Sequence, residues 1–143
     1  MRLSEAIRLG AMWSPQTRGA FFHRRGQEVA TCALGAAFVA SGIEGSAWVR
    51  DWPILHAVVR PAELPADLKD RPYPLRVIDV IIGLNDSAGW TRTMISEWVE
   101  RFEDRHPESS GDGAQVDQHT RAEFKLPGDL DEDEDDFAAL CVR

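Results

Sequence analysis

Cys32 is the first residue in this chain with a claim to chemistry. It stands at the head of an apolar stretch, Thr31 to Ser41 (TCALGAAFVAS). A thiol near a helix N-terminus can have a lowered pKa and act as a nucleophile. The competing reading is a small buried hydrophobe, and the sequence favours it, because no histidine adjoins Cys32 and its neighbours are apolar. The histidines His23, His56, His106 and His119 and the cysteines Cys32 and Cys141 fall at no metal-site spacing. No glycine-rich loop follows a strand to cradle phosphate. The expectation is a chain with no catalytic, cofactor-binding or metal site, and hence not an enzyme.

Three groups of residues are candidates for binding instead. Arg18, His23, Arg24 and Arg25 would form a basic binding loop, against the plainer reading of a solvated hairpin tip. Trp48 and Trp52 are expected to cap the core; the alternative is an exposed aromatic pair used as a binding anchor. Phe137 and Leu140 follow a run of six acids, Asp131 to Asp136. Acidic runs followed by a short apolar patch can bind a basic groove and fold on contact.

The elements that would position these groups are mostly helical. The strongest apolar periodicity lies in Leu75 to Arg105. Arg76, Asp79, Gly83 and Asp86 make one polar stripe at helical spacing, and Pro74 suits a first helical position. This predicts a helix over Pro74 to Asn85. A turn-rich break follows. Thr91 is a good N-cap, with Trp90 and Ile95 at the spacing of a hydrophobic staple. Ile95, Trp98, Val99 and Phe102 then form one apolar face, and His106–Pro107 ends the helix. The outer face is read as Glu97, Glu100, Glu103 and Asp104.

Earlier in the chain, Ser4 would cap a short helix from Glu5 to about Met12, stopped by Trp13-Ser14-Pro15. Gly19 to Ala30 reads as a small β-hairpin. Thr31 would cap the apolar helix and Gly42 would end it. Gly35 costs that helix about 1 kcal/mol against alanine, so a packing reason is expected. Residues 43–73 are the least legible, with a short helix expected to open at Trp52-Pro53 and one turn at Ala66–Asp70.

A length of 143 residues suits one domain. Charge divides the chain in two. Residues 1–106 hold 13 Arg/Lys and 13 Asp/Glu, whereas residues 107–143 hold 3 and 11, so the later part carries the whole net charge of −8. The expected organisation is a globular helical domain over 1–106 and a flexible acidic tail over 107–143. No signal peptide and no membrane-spanning run is visible, and two cysteines imply no disulfide framework. A soluble cytoplasmic protein is the expectation.

Leu84-Asn85-Asp86, Trp90-Thr91-Arg92, Ile95 and Trp98-Val99 together resemble a pattern found in small uncharacterised bacterial and phage-borne proteins. The stretches Ser4 to Met12 and Cys32 to Ala37 look like the opening of the same group. The resemblance covers residues 1 to about 106 and implies no activity. Some members carry a CxxC-like pair between the apolar helix and the LND stretch; this chain has no cysteine there, so the resemblance implies no zinc site at that place.

The fold expected is mostly α (α+β): a compact helical body, a small N-terminal β-hairpin and a flexible acidic C-terminal tail. The function expected is non-enzymatic, the binding of another protein as an interaction or regulatory protein. A DNA-binding helix-turn-helix regulator is the alternative, and an enzyme of unknown class the second. The acids of the last helix would repel phosphates, so nucleic acid and membrane are not expected partners.

Overall fold

The computed structural model describes residues 1–42 and 52–109. Among them run four α-helices and two short antiparallel strand pairs. The chain order is α1 (Leu3–Ala11), β1 (Phe22–Arg25), β2 (Glu28–Thr31), α2 (Ala33–Ser41), β3 (Val58–Val59), β4 (Leu75–Arg76), α3 (Val77–Asp86) and α4 (Arg92–Arg105). Single 3-10 turns at Pro53–His56, Pro61–Glu63 and Ala66–Leu68 occupy the proline-rich connection. Trp48, Phe137, Leu140 and nearly all of the expected tail lie outside the described residues.

Helix α2 is central because its sequence is apolar almost all round. Ala33, Leu34, Ala36, Ala37 and Ala40 are all buried. Its small residues let neighbours come to backbone contact. A Cβ added at Gly10 of α1 would sit 1.9 Å from the Ala36 carbonyl oxygen, and one at Gly35 would sit 2.3 Å from that of Phe21. That contact is the packing reason for a helix-weakening glycine at Gly35. The core continues through Ile7, Leu55, Val80, Ile81, Leu84, Ile95, Val99 and Phe102, all fully buried.

Several boundaries differ from those expected. The third helix starts at Val77, not Pro74, because Leu75 and Arg76 are extended and pair with Val59 and Val58. Its first turn is closed by the Arg76 amide donating to Asp79 Oδ2 at 2.9 Å. Helix α2 is capped by Cys32, whose Sγ accepts from the Gly35 amide at 3.4 Å, so Thr31 closes β2 instead. Gly42 ends α2 with φ +65°, the left-handed conformation glycine adopts freely. Ser4 lies inside α1 and is fully buried. Thr91 does cap α4, accepting from the Met94 amide at 3.2 Å.

Glu103 was expected on the outer face of α4 and is 2 % exposed. It faces α1, where it accepts from the Leu3 amide (2.9 Å) and the Ser4 hydroxyl (2.5 Å) and pairs with Arg2 Nε at 3.2 Å. Helices α1 and α4 therefore run antiparallel, with Arg8 bonded to Glu100 farther along.

Candidate functional site

The far end of this α1–α4 contact holds the most unusual polar arrangement among the described residues. Arg92, the first residue of α4, is 7 % exposed. Its Nη1 donates to Thr31 Oγ1 (2.7 Å), Ser14 Oγ (3.2 Å) and the Thr31 carbonyl (3.4 Å). Its Nη2 donates to the carbonyls of Ala11 (3.2 Å) and Ser14. No carboxylate of the described residues pairs with it. Burial disfavours the charged form and pulls its pKa down, with Cys32 acting weakly the other way.

The guanidinium thus grips the chain on both sides of Met12 and Trp13. These two residues turn outward: Met12 is 78 % and Trp13 47 % exposed. Their amides close the end of α1 on the Leu9 and Gly10 carbonyls, each at 3.1 Å. An exposed methionine and an exposed indole on a turn whose flanks are fixed form a preorganised apolar contact. Such residues supply large area with little ordering cost on binding.

The clamp extends into residues 84–92. Asn85 is 1 % exposed. Its Oδ1 accepts from Gln16 Nε2 (2.9 Å) and the Ala33 amide (3.3 Å), and its Nδ2 donates to the Thr17 carbonyl (3.0 Å). Gln16 also donates to the Trp90 carbonyl at 2.8 Å, and Asp86 accepts from the Gly19 amide at 2.9 Å. Asn85, Asp86, Trp90 and Arg92 therefore do one job together: they fasten residues 11–19 to the helical body. Among the described residues, no buried side-chain nitrogen or oxygen lacks a partner.

The residues expected to bind lie as follows. Trp52 is 3 % exposed and its indole donates to the Met1 carbonyl at 3.2 Å. It is a core residue, as the core-cap reading has it, and offers no exposed anchor. Arg24 and Arg25 are exposed on β1, and as consecutive strand residues they point to opposite faces of the ribbon. Arg18 is also exposed but turns back to the Gly89 carbonyl, 3.5 Å away. The three arginines do not share one face. Cys32 is buried, at 4 % exposure, and no group of three His, Cys, Asp or Glu is placed to hold a metal among the described residues.

Sequence reading missed Met12 and Trp13, treating Trp13 only as a helix stop. A signal was available: in α4, residues 92, 96, 99 and 103 fall on one face at helical spacing, and all are buried. A buried arginine on that seam needs acceptors, and the chain end of the facing helix is where they are free.

A second polar cluster lies at the other end of α4. His106 stacks on Phe102 with ring centroids 4.3 Å apart, and its Nε2 is 2.9 Å from Glu63 Oε1. Burial alone would raise the Glu63 pKa. The His106 hydrogen bond, the Arg60 amide and the charges of His106 and Arg105 outweigh it and leave Glu63 below the usual carboxylate range.

No family model matches the chain, and no curated protein or solved structure proves similar to it.

Proposed function

We propose that this chain is a non-enzymatic protein-interaction or regulatory module that engages its partner through Met12 and Trp13. The observation carrying this reading is the pairing of those two exposed apolar side chains with a buried guanidinium that fixes the backbone on either side of them. Tryptophan is among the residues enriched at binding hot spots, and methionine adapts to irregular partner surfaces. The partner is a protein with a complementary apolar pocket. The protein works in a bacterial or phage-related cytoplasm, as a member of the group it resembles, and its residues 107–143 serve as an acidic arm.

DNA binding by α3 and α4 is the competing reading. The outward residues of α4 oppose it: Glu97 is exposed, and Glu100 and Asp104 are held by Arg8 and Arg2. The exposed face of α4 carries Arg101 and Arg105 beside Glu97 and Asp104, so it offers duplex phosphates no net positive charge. Among the described residues, no helix is long and apolar enough to cross a membrane.

The test is site-specific photocrosslinking. A photoreactive amino acid at position 12 should capture one discrete protein from host extract, and Trp13→Ala should abolish that product. Capture that is unaffected by Trp13→Ala, or tight sequence-specific DNA binding by the full chain, would overturn the reading.

A further inference from the structure

Among the described residues, the hairpin made by β1 and β2 has an open outer edge. Its register pairs Phe22 with Thr31, His23 with Ala30, Arg24 with Val29 and Arg25 with Glu28, leaving a two-residue loop at Gly26-Gln27. Such a loop makes Arg25 and Glu28 the closing hydrogen-bonded pair, and the pairs then alternate. The amides and carbonyls of His23 and Arg25 therefore face β2, while those of Phe22 and Arg24 face outward. No other strand of the described residues pairs with that side, since β1 neighbours β2 alone. The edge is also basic on both of its faces, with Arg24 on one and His23 and Arg25 on the other. All three are exposed, and none of them takes part in an ion pair with a described residue.

An edge of this kind accepts an extended peptide by strand addition: backbone hydrogen bonds supply attraction and alternate side chains supply selectivity. A peptide with acids at every position suits it better than an alternating one, because carboxylates then meet cations on both faces. The chain itself contains that sequence. Asp131 to Asp136 are six consecutive acids, followed by Phe137. The 21 residues between Ser109, the last described, and Asp131 would span about 25 Å as a coil, against a radius of gyration of about 13 Å for a body of this size. The acids can reach any face of the domain.

We infer that the outer edge of β1 is a strand-addition site for the chain's own acidic segment, Asp131 to Phe137. This inference is independent of the Met12–Trp13 reading, since it concerns a different surface. Intrachain occupancy covers an edge that would otherwise be open to other chains and makes the basic ribbon available only to a competitor that displaces the acids.

The test is amide hydrogen exchange of the full chain, resolved by residue with NMR. The control variant carries Asp131→Asn, Glu132→Gln, Asp133→Asn, Glu134→Gln, Asp135→Asn and Asp136→Asn, which leaves the folded body untouched. At low salt the Phe22 and Arg24 amides of the wild type should exchange about tenfold more slowly than those of the variant. The difference should vanish at about 0.5 M NaCl, where surface charges are screened. Arg24→Glu with Arg25→Glu should remove the protection as well. Equal exchange of Phe22 and Arg24 in wild type and control would overturn the inference. Protection that rises with protein concentration would also overturn it, by assigning the edge to a second copy.

Discussion

At one end of the α1–α4 contact Glu103 is buried with a guanidinium beside it; at the other Arg92 is buried with no carboxylate of the described residues beside it. Glu103 receives an amide, a hydroxyl and Arg2. Arg92 gives its protons to three carbonyls and two hydroxyls. The difference teaches what each end is for. Glu103 is a neutralised charge that docks one helix on another. Arg92 keeps an uncompensated charge out of water, which opposes folding, and in exchange it fixes a turn that carries exposed apolar side chains.

The largest effect should come from Glu103→Ala. It leaves the Leu3 amide and the Ser4 hydroxyl unsatisfied beside a cavity, while Arg2 keeps Asp104, and should cost about 3–5 kcal/mol in urea denaturation. Arg92→Met should cost less, about 1–3 kcal/mol, because it leaves neutral acceptors unsatisfied but relieves the buried charge. Equal losses in the two variants would break the comparison, for they would mean that Arg92 has a charged partner after all.

A smaller effect distinguishes the Glu63–His106 cluster from both ends. Glu63 titrates below its ordinary value of 4.5 when folded. The unfolded chain therefore binds its proton more readily, so the stabilisation is fully present above about pH 4.5 and is lost as pH falls through the lower folded value. Glu63→Gln should be less stable than wild type by about 1 kcal/mol at neutral pH, and the gap should close on acidification. Denaturation midpoints across pH 3–7 check this; a gap that widens in acid would contradict the sign.

Much of this architecture is legible in the sequence, and its failures share a cause. Helix α4, its Thr91 cap and the hairpin follow from periodicity and turn residues alone. Helix α2 follows from its unbroken apolar run. Glu103, Ser4 and Arg92 were misplaced or passed over because polar residue types imply exposure, and only tertiary partners make their burial tolerable. The two-residue strands β3 and β4 are too short to leave a period. At the candidate site, Asn85, Asp86, Trp90 and Arg92 stood out as a pattern, but the residues they hold, Ala11 to Gly19, are 67–81 positions away.

The smallest stability effect belongs to the residue with the largest proposed role. Trp13→Ala should change the denaturation midpoint little, by about 0.5 kcal/mol or less, as an exposed side chain away from core packing.

The dissociation constant of the partner captured at position 12 tests the central claim most directly, measured by calorimetry for wild type, Trp13→Ala and Arg92→Met. Trp13→Ala should weaken binding about 100-fold, the scale of a hot-spot loss, with its fold intact. Arg92→Met should weaken it about tenfold by loosening the turn. Wild-type affinity in Trp13→Ala would contradict the account.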